Sequence, residues 1–82
     1  MNKLEGKTAV VTGAASGMGL AMARRFAVGG MNVVLADLNE SRLNDAVNEI
    51  RTNGGQALGI VTDVSVEEDN IQLLDATVDS FG

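Results

Sequence analysis

A glycine-rich stretch near the amino terminus carries the residues whose types and spacing could do chemistry. Residues 12–19 read Thr-Gly-Ala-Ala-Ser-Gly-Met-Gly, between an apolar run and a segment of helical period. Gly13 permits a tight turn, Gly17 lets the main chain approach a ligand, and Gly19 allows close helix packing on a sheet. Unpaired N–H groups at the helix start, aided by the helix dipole, would then favour an anion such as a nucleotide pyrophosphate.

Two other interpretations of the glycine-rich stretch have to be weighed. The phosphate-binding loop of nucleoside triphosphatases ends in Gly-Lys-Ser/Thr. Here the corresponding residues are Gly17-Met18-Gly19, so no lysine is available to meet the terminal phosphates. A tight turn in a doubly wound domain that binds no nucleotide is the alternative that stays open.

An acidic residue, Asp37, ends the second apolar run, 18 residues after Gly19. At that distance a carboxylate can accept hydrogen bonds from the ribose hydroxyls of NAD, and its charge would repel the additional phosphate of NADP. The sequence therefore favours NAD as the cofactor, while Arg42, one turn later, keeps NADP open. An acid just before a helix also favours the helix dipole whatever the domain binds.

Three successive β-α units must position these residues. Short β-branched runs alternate with longer segments of helical period, which is the pattern of a parallel sheet covered by helices. We predict strands over 8–12, 32–37 and 56–62, followed by helices that begin at Gly17, after the cap Asn39, and after the cap Ser65. Because the crossovers are right-handed, we expect strand order 3-2-1 with the first two helices on one face and the third on the other. This is a three-layer α/β fold, one half of a Rossmann-type domain.

Helical periodicity also predicts which side of each helix faces the core. The predicted stripes are Met18, Ala21, Met22, Phe26 and Ala27 in the first helix, Leu43, Ala46, Val47 and Ile50 in the second, and Ile71, Leu74, Val78 and Phe81 in the third. Ser65 and Glu68 have the spacing of a capping box at the start of the third helix.

Composition excludes several kinds of function. The 82 residues contain no Cys, His, Trp, Tyr or Pro, so thiol, imidazole and phenol chemistry and the usual zinc sites are absent from this sequence. A formal net charge of −5 disfavours nucleic acid and anionic lipid as partners. Since no apolar run approaches the roughly 20 residues of a membrane span, we expect no membrane association and a cytoplasmic location.

The Thr-Gly-x-x-x-Gly-x-Gly pattern after an amino-terminal strand resembles the short-chain dehydrogenase/reductase family. The resemblance also includes the opening stretch 4–13, Asp37, and Asp63-Val64 after the third strand. It implies that Thr12 braces the turn, that Ser16 to Gly19 line the adenosine ribose and pyrophosphate, and that Asp63 with the Val64 backbone reads the adenine. The cofactor-binding residues would be Gly13, Ser16, Gly17, Met18, Gly19, Asp37, Leu38, Asp63 and Val64.

The same resemblance implies that the catalytic residues of the family are not in this sequence. Family members carry a Ser, a Tyr-x-x-x-Lys and an Asn at positions that correspond to residues beyond Gly82. We therefore assign no catalytic residue and no metal ligand, and we expect 1–82 to be the N-terminal part of a dinucleotide-binding domain without its catalytic portion. The intact enzyme would transfer hydride between nicotinamide and an alcohol or carbonyl substrate, and the sequence leaves open whether this chain alone is an enzyme.

A second hypothesis belongs to another functional class. The same fold could serve as a non-catalytic module for assembly or regulation. The first strand would then be an exposed apolar edge, which predicts a homo-oligomer formed through that edge.

Overall fold

A computed structural model of the chain describes residues 5–81, so Leu4 of the opening stretch lies outside the described residues. Strands and helices alternate in three β-α units, as the sequence predicts. The elements are β1 (Thr8–Thr12), α1 (Gly17–Val28), β2 (Asn32–Asp37), α2 (Glu40–Thr52), β3 (Gln56–Val61) and α3 (Glu67–Phe81).

The strands form one parallel sheet in the order β1-β2-β3, which has the same adjacency as the predicted 3-2-1. Thr8 of β1 lies beside Asn32 of β2, and Asn32 lies beside Gln56 of β3. The four inner residues of the central strand are buried because parallel strands in such folds are covered by helices on both faces. The carboxyl ends of all three strands therefore meet at one edge of the sheet.

Side chains of β2 alternate between two cores. Val33 and Leu35 point into the larger core, which α1 and α2 cover. Val34 and Ala36 point to the other face, where they pack against Leu73 of α3. This arrangement confirms the prediction that the first two helices share one face and the third covers the other.

Helix α2 follows its predicted face and cap. Its predicted core residues are all buried, namely Leu43, Ala46, Val47 and Ile50. The side-chain oxygen of Asn39 accepts a hydrogen bond from the N–H of Arg42 at 3.0 Å, which satisfies one of the unpaired donors at the helix start.

The predicted core face of α1 is wrong. The residues of this helix that face the core are Ala23, which is fully buried, and the half-buried Leu20, Phe26 and Ala27. Of the predicted stripe, Phe26 and Ala27 pack there, whereas Met18, Ala21 and Met22 are exposed. The helix carries apolar residues on several sides, and the side with the small residue Ala23 is the one that packs into the core.

The predicted core face of α3 is also wrong for three of its four residues. Ile71, Leu74 and Val78 are exposed, whereas Leu73 and Thr77 are buried and Phe81 packs at the edge of the second core. The buried hydroxyl of Thr77 donates to the carbonyl of Leu73 at 2.7 Å, so its polar group is satisfied inside the helix.

Strand β1 is less covered than β2. Helix α3 covers β2 and reaches β3 on its face of the sheet, which leaves Val10 of β1 41% exposed. In the part of the chain that the structure describes, the edge of β1 that faces away from β2 pairs with no strand. Within residues 5–81, none of the helices has the length and apolarity needed to cross a bilayer.

Candidate functional site

The glycine-rich loop connects the carboxyl end of β1 to the start of α1. Gly13 opens the loop with φ +61, a left-handed conformation that favours glycine. Two hydrogen bonds tie the loop to the end of β2. The N–H of Ala14 donates to the carbonyl of Ala36 at 3.2 Å, and the N–H of Ala15 donates to Oδ2 of Asp37 at 3.0 Å.

Gly19 is required by a close contact between the helix and the loop. A Cβ atom at this position would lie 2.2 Å from the carbonyl oxygen of Gly13, a separation that real Cβ atoms do not adopt. The third glycine therefore lets the first turn of α1 lie directly against the loop, and the contact is with the loop rather than with the body of the sheet.

Gly17 faces open space at the start of α1. Its φ is +57, and no heavy atom lies within 4 Å of the place that a Cβ would take. Ser16 precedes it in an extended conformation, and its side chain forms no hydrogen bond to cap the helix. The main-chain N–H groups before Leu20 lie at this helix start. The N–H of Leu20 itself donates to the carbonyl of Ser16 at 3.4 Å. The N–H groups of the first turn are thus available to a ligand.

Asp37 ends β2 with both carboxylate oxygens hydrogen-bonded to main-chain N–H groups. Oδ2 accepts from Ala15, and Oδ1 accepts from Asn39 at 3.1 Å. The bond from Asn39, supported by that from Ala15 and by the positive charge of Arg42, holds the pKa of Asp37 below its ordinary value of 3.8, although partial burial opposes the shift. The carboxylate is therefore ionised at neutral pH, and its remaining lone pairs can accept from ligand hydroxyls.

Asp63, after β3, organises the turn that leads into α3. Its Oδ1 accepts from the hydroxyl of Ser65 at 2.6 Å and from the N–H of Ser65 at 2.9 Å. These two bonds, the hydroxyl first, hold the pKa of Asp63 below its ordinary value. The predicted capping box is therefore wrong, because Ser65 donates back to Asp63 instead of capping the helix. Helix α3 begins at Glu67, two residues after Ser65.

A cleft of about 150 Å³ lies between the ends of the three strands. It brings together five of the nine residues that the sequence predicts for the cofactor, from three separate parts of the chain. Its lining consists of Gly13, Ala36, Asp37, Leu38, Thr62, Asp63 and Val64. The other four, Ser16 to Gly19, form the adjoining start of α1, so the loop joins the cleft to the free N–H groups.

A larger groove of about 580 Å³ lies at the opposite end of the sheet. It is lined mainly by the last turns of α1 and α2 and the glycine turns that follow them, and it contains none of the predicted cofactor residues. Helix carboxyl ends carry partial negative charge, so this groove disfavours an anionic ligand.

Three residues of the site were not singled out in the sequence. Ala15 contributes a main-chain N–H to Asp37, while Ala36 and Thr62 line the cleft. Thr62 is buried, and its N–H donates to the carbonyl of Asp37 at 2.9 Å. No side-chain signal marks such main-chain roles. Thr12 lies exposed at the end of β1, and the loop is fixed by bonds from Ala14 and Ala15 rather than by its side chain.

Known proteins are similar to this chain in sequence and in fold. The family model described as short chain dehydrogenase matches residues 7–82. The chain is 47% identical over 81 residues to 2,5-dichloro-2,5-cyclohexadiene-1,4-diol dehydrogenase LinX of Sphingobium indicum, covering 99% of this chain and 32% of that protein. It is 38% identical over 80 residues to 7alpha-hydroxysteroid dehydrogenase of Escherichia coli K12, covering 98% of this chain and 31% of that protein.

Solved structures agree with the sequence relatives. A short chain dehydrogenase/reductase from Burkholderia phymatum, solved in complex with NAD, superposes with a TM-score of 0.96 at 43% identity, covering 100% of this chain and 29% of that one. The chain thus spans about a third of the length of the relatives it matches. Given the family match over residues 7–82 and the shared fold, the chain belongs to the short-chain dehydrogenase family.

Proposed function

We propose that this chain binds the adenosine diphosphate part of NAD, as the N-terminal dinucleotide-binding portion of an oxidoreductase that transfers hydride between nicotinamide and an alcohol or carbonyl substrate. The observation that carries the proposal is the start of α1, where open space beside Gly17 adjoins unpaired main-chain N–H groups. A diphosphate fits there because such groups donate to anions at a helix N-terminus.

The proposed binding residues divide by the part of the cofactor that each would meet. The N–H groups of Ser16 to Gly19 would donate to the diphosphate. Asp37 would accept from the adenosine ribose, with Leu38 beside it, and Asp63 with Val64 would flank the adenine in the cleft. The bound dinucleotide supplies the hydride chemistry, and this chain's residues bind and orient its adenosine end.

The charge at the end of β2 favours NAD over NADP. Asp37 is ionised, and Leu38 is exposed and uncharged, so the ribose side of the cleft offers a carboxylate where NADP would place a phosphate. Arg42 is close enough to Asp37 to affect its pKa, and it is the nearby cation that could offset this repulsion. We propose that the carboxylate prevails because it lines the cleft itself.

Titration calorimetry of the chain with NAD and with NADP tests this proposal. We expect NAD to bind more tightly, and Gly17→Asp to abolish binding because it places a negative side chain in the open space. Gly54→Asp is the matched control, since Gly54 also has a positive φ with no atom near its Cβ position but lies at the other end of the sheet. Equal affinity for NAD and NADP, or no binding of either, would refute the assignment.

The exposed side of β1 favours a second candidate, a non-catalytic module that assembles with a second copy of itself. Val10 on the strand and Met18 and Met22 on α1 are exposed apolar residues, and among the described residues the outer edge of β1 pairs with no strand. A two-fold axis would pair the β1 strands of two copies antiparallel.

Light scattering after size-exclusion chromatography tests this self-association. We expect a dimer for the unmodified chain and a monomer for Val10→Lys, because a charge on an edge strand opposes pairing. Val61→Lys is the matched control on the opposite edge, where Val61 is 47% exposed. A monomer for the unmodified chain at high concentration would contradict the second candidate.

A further inference from the structure

Two hydrogen bonds hold the glycine-rich loop against β2, and they differ in kind. The bond from Ala14 ends on the carbonyl of Ala36, which belongs to the main chain of the strand. The bond from Ala15 ends on the side chain of Asp37. Ala14 and Ala15 are both buried, so their N–H groups need acceptors inside the protein. Only the acceptor on Asp37 can be removed by a substitution.

We infer that Asp37 is a positioning residue for the diphosphate seat, meaning the N–H groups of Ser16 to Gly19, and does not serve the ribose alone. Its Oδ2 fixes the N–H of Ala15 at 3.0 Å, one residue before the seat begins. Its Oδ1 fixes the N–H of Asn39, so the carboxylate is held from both sides. This inference rests on the proposed function in so far as the seat binds a diphosphate.

The sign of the effect on anion binding separates the two roles. If Asp37 only contacts the ribose, its removal takes a negative charge away from an anion site, and a diphosphate without ribose should bind equally well or more tightly. If Asp37 positions the loop, its removal leaves the buried N–H of Ala15 without its acceptor, and the seat loses its geometry. Diphosphate binding should then weaken even though a repulsive charge is gone.

Titration of the full chain with inorganic diphosphate shows whether binding becomes tighter or weaker when Asp37 is replaced. We expect Asp37→Ala to weaken binding about tenfold, and Asp37→Asn to weaken it less because its amide oxygen can still accept from one N–H. Asp45→Asn is the matched control, since it removes the same charge from an exposed position on α2 and should leave binding unchanged. Equal or tighter binding of diphosphate by Asp37→Ala would overturn the inference while leaving the proposed function intact.

Amide hydrogen exchange gives a second measurement that needs no ligand. We expect the N–H of Ala15 to be protected in the unmodified chain and to exchange faster in Asp37→Ala and Asp37→Asn, while the N–H of Val34 in the central strand keeps its protection and reports that the fold is intact. Unchanged protection of Ala15 would refute the positioning role. Faster exchange in a chain that binds neither diphosphate nor NAD would support the positioning role and refute the proposed function.

Discussion

The N–H of Ala15 and the Oδ2 atom of Asp37 lie 3.0 Å apart although 22 positions separate the two residues in the chain. The bond joins the loop after the first strand to the end of the second. Because the neighbouring N–H of Ala14 is bound to the same strand, the loop and the end of β2 form one unit.

Gly17→Ala should reduce both stability and cofactor binding, whereas Gly54→Ala should reduce stability alone. A left-handed conformation costs an L-residue about 1 to 2 kcal/mol, and the new methyl group meets no protein atom. It would, however, stand where the diphosphate is proposed to lie, so the affinity for NAD should fall about tenfold or more. Gly54→Ala, with a φ of +88, should show a similar loss of stability with unchanged affinity. Calorimetry and denaturant unfolding measure the two effects.

Gly19→Ala should reduce stability and binding together. Its methyl group would meet the carbonyl of Gly13, which is main chain and cannot rotate away, so α1 or the loop must shift. Overpacking of this kind costs about 1 to 3 kcal/mol. Urea unfolding should show the loss. A fully stable Gly19→Ala chain would contradict the close contact.

Leu73→Ala and Leu74→Ala should differ sharply, although the two residues are adjacent. Leu73 is 5% exposed and Leu74 is 61% exposed. We expect Leu73→Ala to lower the free energy of unfolding by about 2 to 4 kcal/mol, and Leu74→Ala to change it by less than about 0.5 kcal/mol. Denaturant unfolding of both variants decides whether α3 packs through the observed face or through the face that periodicity predicted.

The free energy of unfolding should depend on Asp37 in acid. Its pKa is lowered in the folded chain, so between the folded and unfolded pKa values the unfolded chain binds more protons. The stabilisation is complete above about pH 4 and is lost as the pH falls through the folded pKa. Asp37→Asn should show a shallower decline in unfolding experiments below that pH. A decline as steep as that of the unmodified chain would refute this contribution of the carboxylate.

Strand positions and the glycine-rich loop were predictable because they follow from local patterns. The runs over Thr8–Thr12 and Asn32–Asp37 coincide with β1 and β2, and the turn between strand and helix needs glycine whatever surrounds it. The face of α2 was predictable for a related reason. Its exposed side is polar, so one stripe of apolar residues has a single interpretation.

The faces of α1 and α3 were not predictable from periodicity alone. In α3 two neighbouring sides are apolar, and the sequence does not say which one meets the sheet. Thr77 has a polar side chain, but it can be buried because its hydroxyl donates to the carbonyl of Leu73. In α1 the size of the side chains decides which side of the helix faces inward. The helix packs closely at the small residues Gly19 and Ala23, whereas the larger Met22 is exposed. The role of Ala15 could not be predicted from the sequence, because its main-chain N–H makes the hydrogen bond and the residue type does not indicate that role.

The contact between Gly13 and Gly19 also couples the glycine-rich loop, where the diphosphate is proposed to bind, to helix α1. With no side chain between loop and helix, any sliding of α1 along its axis would displace the N–H groups that are proposed to face the diphosphate. Further along that helix, the guanidinium of Arg24 donates two hydrogen bonds, of 2.6 and 2.8 Å, to the carboxylate of Glu49 in α2. Helix α1, which carries the N–H groups that are proposed to meet the diphosphate, is thus also joined to α2 by an ion pair on the surface.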